Sequence, residues 1–219
     1  MCGRFTNQYS WRDLHRLYGL SDALYPASNF PPRFNTAPTQ NSFIVRIGAD
    51  GRRELAELRW GLLPRWVKSP GEGARMINAR AETVATSPAY RSAFKSRPCL
   101  VVADGFYEWK QVGPKEKQPY FIRRKDGAPF AFAGLWEPKS IADRDTFTVI
   151  TCPPNAAVEP IHDRMPVMLA PDDWAGWLGT PEQRKSLMKP FPADDTEMWR
   201  VGKAVGSVKN DGPELIEPV

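Results

Sequence analysis

Phe43-Ile44-Val45-Arg46-Ile47 and Leu55-Ala56-Glu57-Leu58-Arg59-Trp60 stand on either side of Asp50-Gly51. Both runs are rich in residues that suit a pleated backbone. Asp-Gly is a two-residue turn whose twist matches that of the strands it joins, so the stretch predicts a β-hairpin. The pattern continues along the chain. Leu100–Ala103 and Phe106–Trp109 flank Asp104-Gly105, and strand signals follow at Tyr120–Arg123, Pro129–Trp136, Thr146–Thr151, Pro166–Leu169 and Met198–Val201. Helical signals are short. Ser10 with Asp13 has the capping-box offset ahead of Trp11, Leu14 and Leu17 or Tyr18, and Gly19 can close that helix. Ser87-Pro88 predicts the N-cap and first residue of a helix running to Lys95. Pro171-Asp172-Asp173 and Thr180-Pro181 each predict a short helix start. The Pro- and Asn-rich stretch Tyr25–Pro38 reads as irregular loop. Strands that follow one another without alternating helices predict an α+β fold on an antiparallel sheet or open barrel. With no linker or repeat, residues 1–219 read as a single domain, with a polar tail at about 210–219 read as loose.

The chain has 219 residues, 42% hydrophobic and 25% charged, a balance typical of a globular protein with a sizeable core. No apolar run reaches the roughly 20 residues of a membrane span. Met1-Cys2-Gly3-Arg4-Phe5 lacks the charged and apolar regions of a signal peptide. These features predict no membrane partner and a cytoplasmic protein, nucleoid-associated in a bacterium or nuclear in a eukaryote. Cys2, Cys99 and Cys152 form no CxxC pair and read as reduced thiols. His15 and His162 are the two histidines, which excludes a multi-histidine metal site, and no cofactor is expected. A formal net charge of +5 favours a polyanionic partner.

Several residues could carry chemistry. If Met1 is removed, Cys2 becomes a 1,2-aminothiol, whose amine and thiol ordinarily titrate at about 7.7–8.0 and 8.5. Such a pair condenses with an aldehyde to an imine that the thiol closes into a thiazolidine, which an internal cysteine cannot do. The bland alternative is a small residue in a frayed terminus. Asn78 and Arg80, two apart on a strand, share one face and could hold a sugar and a phosphate, or merely face solvent. Glu108, among Phe106, Tyr107 and Trp109, would have its pKa raised by desolvation towards acid–base use, or would alternate outward from a buried strand. His162 lies between Pro160 and Pro166 beside Asp163 and Arg164, where it could donate a proton or bind an oxyanion, or serve as a loop hydrogen-bonder. His15 reads as structural or exposed. Trp60 reads as core. Trp66, after Arg65, could stack on a base or pack inside.

Together these segments resemble the SOS response-associated peptidase (SRAP) family. The matching elements are Met1–Phe5, Phe34-Asn35-Thr36-Ala37-Pro38, Trp60-Gly61-Leu62 with Pro64 and Trp66, Ile77–Thr83, Ala103–Trp109 and Ile161–Pro166, in the family's order. Gly202 and Gly206 stand where many members carry Ser and Asn. The resemblance implies a mixed domain around a curved, barrel-like antiparallel β-sheet. It implies a monomer that recognises abasic sites in single-stranded DNA and forms a covalent thiazolidine crosslink through Cys2, shielding the lesion during the DNA damage response, with lyase and N-terminal autoproteolytic activity besides. Asn78 then positions the sugar and the nucleophile. Glu108 moves protons at the amine and sugar, and His162 helps open the deoxyribose ring. Arg80 meets a phosphate, and Arg4, Trp66, Thr151 and Arg164 make further DNA contacts. Two other readings remain open: a cysteine hydrolase using Cys2 and His162, and a non-catalytic single-strand DNA-binding module using Trp66 and the basic surface.

Overall fold

The structure is a computed structural model that describes residues 2–20, 30–67, 69, 76–139 and 144–219. Its strands are β1 (Phe5–Asn7), β2 (Arg33–Thr36), β3 (Asn41–Ile47), β4 (Arg53–Trp60), β5 (Asn78–Arg80), β6 (Pro98–Ala103), β7 (Gly105–Gly113), β8 (Glu116–Arg124), β9 (Phe130–Glu137), β10 (Thr146–Cys152), β11 (Met165–Pro166), β12 (Met168–Leu169) and β13 (Thr196–Arg200). Its helices are α1 (Trp11–Tyr18), α2 (Arg91–Ser96), α3 (Trp174–Leu178) and α4 (Pro181–Leu187). Two sheets result. One is antiparallel, in the order β13-β8-β7-β1-β2. The other runs β11-β10-β4-β3-β6-β9-β12, with β5 beside β10 and a β9–β10 pairing that closes the path into a ring.

The α+β class and curved sheet follow the sequence expectation, with one correction: the ring is not wholly antiparallel. β4 and β5 both run parallel to β10, one after the other along the same edge. β9 and β11 share its other edge. Every residue of β10 is buried, because neighbours flank it on both sides and the core covers its faces. Its unbroken apolar and threonine run lacks alternation for that reason.

The β3–β4 hairpin forms as expected, with Gly51 at φ 78° taking the left-handed backbone that the turn demands. α1 carries the full Ser10–Asp13 capping box and ends at Gly19 in the left-handed conformation, burying Leu14 and Tyr18. α4 has the same device at Thr180 and Gln183. Three local expectations are corrected. Residues 33–36, read as loop, form β2 against β1; the positions 25–29 of that reading lie outside the described residues. The helix expected from Ser87 begins instead at Arg91, with Ser87 accepting from the amides of Tyr90 and Arg91 in a preceding turn. The tail read as loose is tied down. Asp211 accepts from Arg33 Nε at 2.5 Å and from the amides of Phe34 and Asn35 at 2.5 and 3.0 Å. Leu215 is buried with Phe34, Tyr107, Phe121, Val201 and Val205 in a small second core.

Asp104-Gly105 does not turn a hairpin. β6 and β7 belong to different sheets, and the chain crosses between them here. Asp104 is held by the Thr6 hydroxyl and the Gln8 amide, while a Cβ on Gly105 would run into the Phe121 ring. This crossing brings β7 alongside β1, and so sets the residues after Gly105 against the start of the chain.

Candidate active site around Cys2

Cys2 leads directly into β1. β1 pairs with β7 at Phe5↔Phe106 and Thr6↔Gly105, and Tyr107 donates its amide to the Arg4 carbonyl at 3.0 Å. This ladder carries Glu108, two residues beyond Phe106, to the level of the chain start. Opposite it, β5 is held on β10 at Val149↔Asn78, and Asn78 Nδ2 donates to the Cys2 carbonyl at 2.8 Å. Tyr90, from the turn before α2, donates its hydroxyl to the Asn78 carbonyl at 3.1 Å and steadies that strand end. The loop after β10 returns through a turn in which His162 donates its amide to Val158. It places His162 Nε2 3.8 Å from Glu108 Oε2. The four residues expected to do chemistry, from four separate segments, thus converge.

The electrostatics follow from burial. Glu108 is 2% exposed, and desolvation pushes its carboxyl up to about 7, with Asp163 adding to the rise and the chain's amino terminus and Lys117 opposing it. Burial also pushes the Cys2 thiol far above its ordinary range, and the Glu108 charge adds to that. His162 moves the other way: burial lowers its pKa, and the amino terminus adds to the lowering. Near neutral pH the site therefore holds a protonated thiol, a neutral imidazole and a carboxyl divided between its two forms. Asn78 Oδ1 is buried and has no hydrogen-bond partner among the described residues, so it can accept from a group that enters the site.

The residues expected at DNA fall into two sets. Arg80 is exposed at the end of β5, in register with Thr151 on β10. Thr151 is 1% exposed, and its carbonyl accepts from Arg164 Nη2 at 2.7 Å. Arg164 in turn grips Glu82. Trp66 is 56% exposed and lines a separate hollow of about 320 Å³ with Arg65, Pro88, Ser92 and Arg97. Arg4 lies half-buried. Its guanidinium donates to Asn35 Oδ1 (2.9 Å) and to the carbonyls of Val205 (2.7 Å) and Gly206 (3.2 Å). His15 stacks on Trp11, and Trp60 is fully buried. Tyr90 and Lys117 carried no local sequence signal. All three cysteines are free and buried. Among the described residues no helix is long and apolar enough to cross a membrane.

Comparisons with known proteins give the chain's relatives. A family profile described as SOS response associated peptidase (SRAP) matches residues 1–208. The chain is 42% identical to the abasic site processing protein YoqW of Bacillus subtilis over 99% of both chains. It is 33% identical to the abasic site processing protein YedK of Escherichia coli over the whole of both. The abasic site processing protein HMCES of Xenopus tropicalis is 30% identical over 96% of this chain and 70% of its own length. Among solved structures, a protein from Bacteroides thetaiotaomicron superposes with a TM-score of 0.86 over the whole of both chains at 23% identity, a likeness of fold.

Proposed function

Because this chain belongs to the SOS response-associated peptidase family, we propose that it processes abasic sites in single-stranded DNA, capturing the sugar aldehyde covalently through the amine and thiol of Cys2 once Met1 has been removed. The observation that carries this reading is the convergence of Asn78, Glu108 and His162 on Cys2. An abasic sugar is mostly a closed hemiacetal, so a proton must reach its ring oxygen before an aldehyde is exposed. Neutral Glu108, or the protonated fraction of His162, supplies it. The neutral Cys2 amine then attacks the aldehyde carbon, and the carbinolamine loses water to give an imine. The Cys2 thiol adds to the imine carbon, its proton passing to the ring nitrogen directly or through the Glu108 carboxylate. One water is lost overall and no redox partner is needed.

The raised pKa of Glu108 suits it to both giving and taking protons at neutral pH. Asn78 holds the Cys2 backbone through Nδ2 and leaves Oδ1 for a sugar hydroxyl. Fixing amine, aldehyde and acid–base groups together makes the steps effectively intramolecular. Arg80, Arg164 and Arg4, with Trp66 as a stacking platform, provide sequence-independent contacts to DNA, and affinity falls with salt. The protein acts as a monomer, and the adduct shields the lesion. Lyase action would draw on the same proton-transfer groups, as would self-removal of Met1, in which the Cys2 thiol attacks the Met1 carbonyl, the Met1–Cys2 C–N bond breaks with a proton passing to the Cys2 amine, and water hydrolyses the resulting thioester to release Met1 and restore the thiol.

The test mixes the protein with single-stranded DNA carrying one abasic site, followed by a denaturing gel and intact-mass analysis. A shifted band with the mass of Met1-less protein plus DNA minus water is expected. Failure to form it, with Met1 confirmed absent, sinks the reading, and peptide turnover by the same preparation would replace it with a cysteine hydrolase.

A further inference from the structure

Arg164 sits on the His162 loop and reaches three elements at once. Its Nη1 and Nη2 donate to the two carboxylate oxygens of Glu82 at 2.5 and 2.9 Å, and Nη2 also donates to the Thr151 carbonyl at 2.7 Å. Its backbone amide donates to His162 Nδ1 at 3.0 Å. The same nitrogen lies 3.2 Å from the Arg164 carbonyl and 3.0 Å from Asp163 Oδ1, so the Arg164 backbone holds the ring with Nε2 towards Glu108. Glu82 follows β5 in the same turn that begins at Arg80, four residues after Asn78. The pair therefore bolts the segment that carries Asn78 to the loop that carries His162. The Arg164 side chain is 14% exposed and that of Glu82 47%. A two-pronged pair has the geometry to fix direction as well as distance.

We propose that Glu82 is a positioning residue: by clamping Arg164 against Thr151 it sets the orientation of His162 towards Glu108. The proposal deepens the abasic-site reading and rests on it for its kinetic consequence, but its structural content can be read without DNA. Glu82 keeps its charge across the working range, because the Arg164 hydrogen bonds hold its carboxyl below the ordinary value. Among the described residues, the charged groups facing His162 are Glu108 from β7, Lys117 from β8 and Asp163, and the chain's amino terminus acts on it as well. Glu82 acts on it only through Arg164.

The experiment compares wild type with Glu82→Gln and Glu82→Ala by nitrogen-resolved NMR of His162 as a function of pH, alongside crosslinking kinetics on abasic single-stranded DNA. Wild type should show one dominant tautomer with a pKa below the ordinary histidine value. In Glu82→Ala the tautomers should mix and the pKa should rise. Simple loss of a negative charge would lower it, so the sign separates positioning from direct electrostatics. The limiting crosslinking rate should fall roughly ten- to hundredfold, as misplacement of a catalytic group does, with DNA half-saturation changed less than twofold and Glu82→Gln intermediate. Unchanged His162 spectra in a folded Glu82→Ala protein would overturn the proposal. So would tighter DNA binding with a faster reaction, which would make Glu82 a competitor for Arg164 instead. If no variant or wild-type protein crosslinks while the His162 spectra shift as stated, the positioning stands and the abasic-site reading fails.

Discussion

Replacing Glu108 with Gln should stabilise the protein at alkaline pH while disabling its chemistry. Glu108 titrates near 7 in the folded protein against an ordinary 4.5, because the folded site disfavours its charge. A carboxyl raised in this way contributes fully below its unfolded pKa, and that contribution is lost as pH rises through the folded value. The loss therefore accumulates between about pH 4.5 and 7 and is constant above. Linkage over a shift of this size gives a penalty of about 1 kcal/mol at pH 5 and about 3 kcal/mol at pH 8. Gln keeps the shape and never ionises. The stability difference between Glu108→Gln and wild type should thus move in the variant's favour by about 2.5 kcal/mol from pH 5 to pH 8. For a chain of this length that corresponds to roughly 5–10 °C in melting temperature. Chemical denaturation at both pH values, with calorimetry as a second probe, measures it. A difference independent of pH would refute the idea that burial holds this carboxyl near neutrality, and would remove the basis for its proton-transfer role.

Three further outcomes follow from the same geometry. Cys2→Ala should abolish the heat-resistant adduct and leave reversible DNA binding nearly intact; a stable adduct on a denaturing gel would eliminate the thiazolidine chemistry. Trp66→Ala should weaken single-stranded DNA binding by about 1–3 kcal/mol, the usual worth of a base-stacking ring, with little change in melting temperature because the ring is exposed. Leu215→Ala should cost about 2–5 kcal/mol in an unfolding titration, since Leu215 is 1% exposed in the second core; a near-neutral effect would mean that the tail does not hold its place in solution.

Short-range chemistry was legible in the chain. Asp50-Gly51, the Ser10–Asp13 capping box and the Thr180-Pro181 helix start act within a few residues, and their signals survived into the fold. Long-range pairing was not. β2 looks like loop because prolines surround it and its Phe34, Asn35 and Thr36 are all buried, which leaves no alternation to read; it becomes a strand only beside β1. Asp104-Gly105 has the letters of a hairpin turn, but the Phe121 ring and the Thr6 and Gln8 contacts make it a crossing between sheets. The parallel edges of β10 likewise depend on partners about 70 to 90 positions away. The site divides in the same way. Cys2, Asn78, Glu108 and His162 could be picked out as chemical types and by family resemblance, whereas the Glu82–Arg164 clamp and the Tyr90 contact exist only once four segments meet.

The contacts of Arg4 and Asn35 also set an order of events during synthesis. The carbonyls they gather belong to Val205, Gly206, Ser207 and Asn210. These lie more than 200 positions after Cys2 along the chain. At 5–20 residues per second, roughly ten to forty seconds of synthesis separate them. Throughout that interval the segment bearing Cys2 and Arg4 lacks these partners. The segment between Cys2 and β1 therefore takes its final anchorage late, after the elements that carry Asn78, Glu108 and His162 have already been made.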